Sequence, residues 1–242
     1  MRRFTVMGLV VAVLAAACSG GPSKEVLAFC DAFVEVEAAF SGEPDPATIG
    51  GLIDRVDELA PSAIATDIGT MTTTARTVLS TGDFAAFESD EFGAASEAVD
   101  DYLVAECGYE TFTVSAIDYA YEGVPERVKS GTVAIEFQND GTEFHEILLM
   151  RRNEGVTEGF AELLGLPEEE AMTKVTMVGA EFAEPGGSGT TFVRLDPGAY
   201  AILCFIPVGA TPENLPALES GEFEGGPPHF TLGMLAELTV ED

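Results

Sequence analysis

The sequence predicts two structural parts, an all-α helical bundle followed by an all-β sandwich, and three observations support this prediction. Apolar residues recur at helical spacing between residues 24 and 108. From residue 111 onward, short runs with alternating or continuous apolar residues replace that spacing, and Gly, Pro, Asn and Asp separate the runs. About seven such runs in roughly 130 residues are typical of an antiparallel Greek-key sandwich. We therefore expect one domain over residues 24–110 and a second over residues 111–242.

The first residues have the features of a secretory signal. Two arginines precede an almost wholly apolar run that ends at residue 17 and is too short to span a bilayer as a stable helix. Small residues lead up to Cys18, and a stretch rich in Gly, Ser and Pro follows it. We expect residues 1–17 to be a signal peptide and residues 18–23 to form a tether.

This arrangement resembles the lipobox of bacterial lipoproteins, in which the cysteine is lipidated and becomes the new N-terminus. Leu14 lies four residues before Cys18, whereas the usual pattern has leucine three residues before the cysteine. The resemblance implies lipidation of Cys18 and attachment to the cell membrane on its extracytoplasmic face. An ordinary cleaved signal peptide would instead give a secreted protein, and in both cases the chain leaves the cytoplasm.

The chain is strongly acidic. Its formal net charge of −31 at pH 7 becomes −33 when the signal peptide and its two arginines are removed, because no acid is lost with them. Nucleic acids and anionic lipid headgroups repel such a protein, so we expect no nucleic-acid partner. The acids are spread along the chain, which favours a solvated acidic surface over a site for a cation or a basic partner.

Four helices are expected in the first part. Apolar positions from Leu27 to Ala38 indicate the first helix, and the second begins at Pro46, in the first helical position after an aspartate N-cap. Pro61 begins the third helix, and the Ser-Thr-Gly-Asp sequence after Leu79 ends it. The fourth begins near residue 94 and ends at residue 108, where a glycine follows the last apolar position.

The cysteines that remain after Cys18 are Cys30, Cys107 and Cys204. An odd number in an oxidising compartment indicates one pair and one free thiol. Cys30 and Cys107 lie on the apolar faces of the first and last helices, which are neighbours in an up-and-down bundle. We expect a disulfide between them, which would contribute about 4 kcal/mol in the chain-entropy model. Two separate buried thiols are the alternative.

Seven strands and one helical insert are expected in the second part. The insert covers residues 157–172, after the third strand, where helical spacing returns. The strand sequences are TFTVSAIDYAY, GTVAIEFQN, FHEILLMRR, KVTMVGAEFAE, GTTFVRL, GAYAILCF and GMLAELTVE.

Alternation along two of these strands places two metal-ligating side chains in the interior. His145 lies on the same strand face as Ile147, and Cys204 lies on the same face as Ile202. Both side chains should therefore point into the apolar core, where a metal would be shielded from water.

Four sequence stretches resemble the cupredoxins, the plastocyanin-like copper domains, over residues 112–241. QNDGTEFHE contains His145, LDPGAYAILC ends at Cys204, PPHFTLGM holds His229 and Met234 with four residues between them, and LAELTVE matches the closing strand. The resemblance implies one copper ion with His145, Cys204 and His229 as equatorial ligands and Met234 as the axial ligand. Two imidazoles, a thiolate and a weak thioether suit both Cu(I) and Cu(II).

The complete inventory of the chain agrees with this ligand set, but one insertion departs from the family. The two histidines of the chain both lie at ligand positions. Between Cys204 and His229, the family has a handful of residues, whereas this chain has a 24-residue insert over residues 205–228. Lengthening the loop would cost about 2 kcal/mol, so entropy permits the site, although a short loop normally helps to fix its geometry.

The resemblance implies a membrane-tethered blue copper protein that carries electrons and is not an enzyme. Its redox partner would dock at an apolar collar around His229, formed by Pro227, Pro228, Phe230 and Leu232. Two other functions are compatible with the sequence. One is a copper-handling lipoprotein that exchanges the metal with a donor or acceptor. The other is a metal-free binding module that uses the acidic loop over residues 205–228.

Overall fold

The computed structural model describes residues 21–40 and 46–242. The predicted signal peptide and the lipidation site at Cys18 lie outside the described residues. Within the described part of the chain, no helix combines the length and the apolar character that crossing a membrane requires.

The four predicted helices of the first part are confirmed, with shifted starts for the last two. Pro61 is followed by a turn before the third helix begins, and the fourth helix begins one turn earlier than predicted because Ser89 caps it by accepting a hydrogen bond from the Phe92 amide at 3.3 Å. The helices are α1 (Lys24–Phe40), α2 (Pro46–Leu59), α3 (Ala65–Thr81) and α4 (Asp90–Glu106), with a 3-10 turn at Phe84–Glu88.

The predicted disulfide between Cys30 and Cys107 is present, with the two Cα atoms 5.9 Å apart. It joins α1 to the residue that follows α4, across a sequence separation of 77 residues. Beside it, the rings of Phe29 and Tyr102 meet edge to face, with centroids 6.1 Å apart. Cys204 is the free cysteine among those that the structure describes.

The predicted β-sandwich is confirmed, but it contains nine strands instead of seven. The first predicted strand is divided by a turn at Asp118, and the short third strand lies in a segment that sequence patterning did not predict as a strand. The strands are β1 (Glu110–Ile117), β2 (Ala120–Glu122), β3 (Arg127–Lys129), β4 (Gly131–Asn139), β5 (His145–Arg152), β6 (Val175–Ala183), β7 (Ser188–Leu195), β8 (Gly198–Leu203) and β9 (Leu235–Glu241).

Strand direction also departs from the antiparallel prediction. One sheet has the order β2-β1-β4-β7 and the other has the order β3-β9-β8-β5-β6. The pairs β1–β4 and β3–β9 are parallel, while the remaining pairs are antiparallel. Alternation of apolar residues reports which face of a strand is buried, and it carries no information about the direction of the neighbouring strand.

The helical insert between β5 and β6 is confirmed as two short helices, α5 (Phe160–Leu163) and α6 (Glu168–Met172). Phe160 and Leu163 are buried against Met150 of β5 and Leu203 of β8, on the outer face of the second sheet. The core between the two sheets is therefore separate from the apolar cluster that the insert covers.

The helical part packs directly on the first sheet. Phe33 of α1 meets Phe192 of β7 edge to face, with ring centroids 6.2 Å apart, and both side chains belong to one buried cluster. Asp31 and Arg194 form an ion pair at 3.3 Å beside this contact. The two parts thus share apolar core, and their division into separate domains near residue 110 stays a prediction.

Replacement of both disulfide cysteines by alanine should lower the free energy of unfolding by about 4 kcal/mol, because the unfolded chain regains the entropy of a long open loop. Urea unfolding of Cys30→Ala/Cys107→Ala and of the parent chain would measure this difference. A loss below about 1 kcal/mol would contradict the expectation.

Candidate metal centre

Three potential metal ligands converge at one end of the sandwich. His145 is the first residue of β5, and Cys204 follows directly after β8, which is the antiparallel neighbour of β5. His229 begins a 3-10 turn that leads into β9. All three side chains have no exposed surface, so the site lies inside the protein.

The donor atoms have the mutual distances of atoms that share one ion. Nδ1 of His145 lies 3.1 Å from Nδ1 of His229, and Nδ1 of His229 lies 3.4 Å from Sγ of Cys204. The three donor atoms lie within 4.8 Å of one another. Metal bonds of about 2.0 Å to nitrogen and about 2.3 Å to sulfur, at tetrahedral or trigonal angles, give donor separations of about 3.3–3.8 Å. The Nδ1–Nδ1 and Nδ1–Sγ separations are close to this range, so the group could hold one metal ion.

A carboxylate holds the outer nitrogen of each imidazole. Nε2 of His145 lies 2.8 Å from Oδ1 of Asp118, and Nε2 of His229 lies 3.0 Å from Oε2 of Glu143. A carboxylate accepts the proton of Nε2, which leaves the Nδ1 lone pair of each ring free for an ion. The two Nδ1 atoms face each other and that of His229 also faces Cys204, so the two pairs orient the histidines towards one point.

Asp118 is held in the turn between β1 and β2 by a neighbouring loop. Its Oδ2 accepts the Thr142 hydroxyl at 2.6 Å, and the Thr142 amide lies 3.1 Å from both of its oxygens. Burial raises the pKa of Asp118, but the hydrogen bonds from Thr142 and His145 together outweigh that effect and lower the pKa below its ordinary value. Asp118 is thus an anion beside His145 at neutral pH.

Glu143 connects four segments of the chain. Besides His229, its carboxylate accepts hydrogen bonds from the Gly209 amide at 2.6 Å and from the Tyr119 hydroxyl at 2.9 Å. The Tyr119 ring also packs on the His229 imidazole, with centroids 5.0 Å apart. Sequence reasoning missed Asp118, Tyr119 and Glu143, and the only available signal was the acid two residues before His145.

Asn139 shapes the loop that carries these groups. Its side-chain amide donates to the carbonyls of Glu143 and Ala183, both at 2.9 Å, and its Oδ1 accepts the Gly141 amide at 2.9 Å. A Cβ atom on Gly141 would lie 2.4 Å from Asp118 Oδ1 and 2.6 Å from Nε2 of His145. Only glycine therefore allows this loop to cover the Asp118–His145 pair.

The 24-residue insert is closed by main-chain hydrogen bonds at its base. The His229 amide donates to the Ile206 carbonyl at 2.9 Å, and Val208 exchanges hydrogen bonds with Gly226 and Pro227 at 2.9 and 3.1 Å. The two ends of the insert are thus tied together within four residues of Cys204. This ladder restores the short connection that a compact metal site needs, and residues further along the insert, including Ala210 and Phe223, pack against the core between the sheets.

Met234 lies next to the convergent group through its main chain. It is fully buried, its carbonyl accepts the Cys204 amide at 3.3 Å, and its own amide donates to the His229 carbonyl at 3.2 Å. Its assignment as the axial ligand stays a prediction.

Burial controls the protonation of the site. It raises the pKa of the Cys204 thiol to about 12 and lowers the pKa of His229 below its ordinary value. At neutral pH, the metal-free site therefore holds a thiol and a neutral His229. Glu146, which follows His145, has a pKa raised by burial, and its carboxyl accepts the Phe205 amide at 2.7 Å, so it restrains the main chain directly after Cys204.

The chain matches no protein-family model and no curated protein. Among solved structures, it resembles a dithionite-reduced auracyanin from the photosynthetic bacterium Roseiflexus castenholzii, with 23% identity and a TM-score of 0.34 over 56% of this chain and 100% of that chain. It also resembles auracyanin A, a "blue" copper protein from Chloroflexus aurantiacus, with 17% identity and a TM-score of 0.36 over 55% of this chain and 100% of that chain. Reduced rusticyanin is 16% identical, with a TM-score of 0.31 over 54% of this chain and 77% of that chain.

Metal loading at pH 8 should release about one proton per ion, because the Cys204 thiol is protonated there and must ionise to bind. Titration with Zn²⁺, which is redox-silent, in weak buffer with a pH indicator would measure the release. Cys204→Ser is the matched control and should release no proton at this step. Equal release from both proteins would contradict the expectation.

Glu143→Gln should weaken metal binding by about 10-fold to 100-fold, because the loss of the charge makes His229 a weaker donor and loosens the base of the insert. Competition with a chelator of known affinity would measure the change. Glu237→Gln, an exposed substitution of the same kind on β9, is the control and should leave the affinity unchanged. Equal affinities in the two variants would show that Glu143 does not support the site.

Proposed function

We propose that this chain is a type 1 copper protein that transfers electrons. The observation that carries the proposal is the convergence of His145, Cys204 and His229 at donor distances for one ion, in a site closed to water. Two imidazoles and one thiolate, with a weak axial thioether, form the donor set of blue copper centres. Met234 would supply the thioether. Bound copper would supply a one-electron couple between Cu(I) and Cu(II).

The protein's own groups would keep the ligand geometry the same in both oxidation states. Asp118 and Glu143 hold the imidazoles, and main-chain hydrogen bonds connect Cys204 to Phe230 and Met234. Ligands that do not move between states lower the reorganisation that accompanies each electron transfer. This rigidity supports a carrier function.

Complete burial distinguishes between the alternatives. A copper-handling protein must let a donor or acceptor ligate the ion, which requires an open site, whereas all three donors here have no exposed surface. An enzyme needs an open coordination position for its substrate, and the same burial counts against one. A metal-free module would have no use for two buried histidines that face a thiol, because burying polar groups lowers the stability of a fold.

A redox partner would dock at the surface above His229. Leu232 is 50% exposed and Phe205, directly after Cys204, is 39% exposed. The Phe205 ring meets Phe230 edge to face, with centroids 5.0 Å apart, so these two side chains form an apolar patch next to the site, and Leu232 lies two residues further along the chain. His229 itself lies beneath this surface, and the main chain from Cys204 to Phe205 is a short covalent route to it.

We further propose that the protein is anchored on the extracytoplasmic face of the cell membrane through lipidated Cys18. The sequence around Cys18 supports lipidation, and the Cys30–Cys107 disulfide supports an oxidising compartment. Metabolic labelling with a fatty acid would test the anchor, because Cys18→Ser should abolish the label. Label that persists in this variant would overturn the proposal.

Copper titration of the mature chain tests the central proposal. Protein with Cys18→Ser, purified without metal, should develop an intense visible thiolate-to-copper band that saturates at one Cu(II) per chain and is absent in Cys204→Ala. Voltammetry should show a reversible one-electron couple. A colourless titration would overturn the copper proposal. A bound ion with no reversible couple, and rapid exchange with a chelator, would support copper handling instead.

Leu232→Asn should slow electron exchange with a basic protein by about tenfold, because loss of one apolar contact weakens docking by about 1.5 kcal/mol. Stopped-flow oxidation by a c-type cytochrome would provide the rate, and ferricyanide would serve as the small-molecule control, with a nearly unchanged rate. Leu27→Asn, at an exposed leucine of α1, is the matched protein control. Equal slowing by both substitutions would contradict docking at this patch.

A further inference from the structure

The helical part contains an apolar cavity of about 310 Å³ that is open to solvent on one side. Its walls come from every helix of this part, including Phe33 of α1, Ile53 of α2, Ile68 of α3 and Phe92 of α4. Well-packed cores leave few voids larger than a water molecule, and a cavity lined by apolar side chains can accept an apolar ligand. At about 30 Å³ for each heavy atom, the cavity has room for an apolar body of roughly ten atoms.

The cavity continues into a larger cleft of about 800 Å³ between the helices and the sandwich. Phe33, Met71 and Phe92 line both spaces, so the two are connected. The far side of the cleft is formed by β1, β4, β6 and β7, and none of its lining residues contributes a metal ligand. This combined space is therefore separate from the metal centre at the end of the sandwich.

The cleft carries acidic side chains from four elements. Glu37 projects from α1, Asp100 from α4 and Glu181 from β6, and they are accompanied by Glu97, Asp101 and Glu136. No lysine, arginine or histidine is among the described residues that line the cleft. The cleft thus gathers carboxyl groups at the mouth of an apolar cavity.

The environment of these acids disfavours their charged forms. Burial, with a further contribution from neighbouring carboxylates, raises the pKa of Asp100 to about 8 and that of Glu181 to about 7. Burial alone raises the pKa of Glu37 to about 7. A positive charge placed among them would relieve both the desolvation and the mutual repulsion. The apolar cavity and the acidic mouth together are complementary to a molecule with an apolar body and one cationic end.

We propose that this space is a binding site for an amphipathic organic cation, whose apolar body occupies the cavity and whose charged group lies among Glu37, Asp100 and Glu181. Pockets of this kind combine a mainly apolar lining with a few polar groups that set orientation. The site is independent of the copper proposal, because it uses no residue of the metal centre. It assigns a ligand-binding role to the helical part of the chain.

Calorimetric titration of the mature chain with decyltrimethylammonium and with decyl sulfate, both below their micelle concentrations, tests the proposal. These probes share an apolar chain and differ in the sign of the head group. The cation should bind at one site at least about tenfold more tightly than the anion. Absence of saturable cation binding, or equal affinity for both probes, would overturn the proposal.

Substitutions separate the cavity from the acidic mouth. Ala75→Phe fills the cavity from α3 and should abolish saturable binding, whereas Ala161→Phe, on an exposed face of α5, should not change it. If Ala75→Phe does not fold by circular dichroism, Met71→Trp fills the same space from its rim. Binding that persists in a folded cavity variant would place the probe on the acidic surface and overturn the site.

Asp100→Asn combined with Glu181→Gln should remove the preference for the cation and leave the two probes within about threefold of each other. Glu122→Gln combined with Glu237→Gln changes the net charge equally at exposed positions outside the cleft and is the control. If both double variants lost the preference for the cation equally, the overall charge of the protein would explain that preference. This result would overturn the role of the acidic mouth.

Discussion

The Glu143 carboxylate joins parts of the chain that are far apart in sequence, and the geometry of the candidate metal centre depends on it. It accepts hydrogen bonds from His229, from Gly209 in the insert and from Tyr119 beside β1. Because one anion serves three donors, the insert cannot move without disturbing the histidine. These hydrogen bonds therefore restrain His229 in the way that a short connection to Cys204 would.

Burial of three donor groups carries an energetic cost that a bound ion would offset. A thiol and two imidazoles are costly to bury, because each loses its contacts with water and must find partners inside the protein. The two carboxylates satisfy the outer nitrogens but leave Nδ1 of each ring and Sγ of Cys204 directed at one point. Binding energies of metal sites, on the order of 10 kcal/mol, are large enough to offset this arrangement.

A few specific contacts hold the helical part together and attach it to the sheet. Its disulfide closes the bundle, and Phe33 anchors it on the sheet through Phe192. The same packing leaves an apolar cavity beneath a cleft whose acids are poorly solvated. A structure that maximised stability alone would fill the cavity and remove the half-buried acids, since both reduce the stability of a fold. Their coexistence at one place is the reason to assign them to a ligand.

The sequence alone determined the four helices, the sandwich, the pairing of Cys30 with Cys107, and the inward direction of His145 and Cys204. Each of these follows from spacing within one element or from the small inventory of cysteines and histidines. Only the tertiary structure decided that Asp118 and Glu143 hold the histidines, that β1 pairs with β4 in parallel, and that the helices leave an apolar cavity between them. Periodicity reports which face of an element is buried, but it does not report which distant residue lies against that face. The Glu143–His229 pair spans 86 residues, so no local pattern could have indicated it.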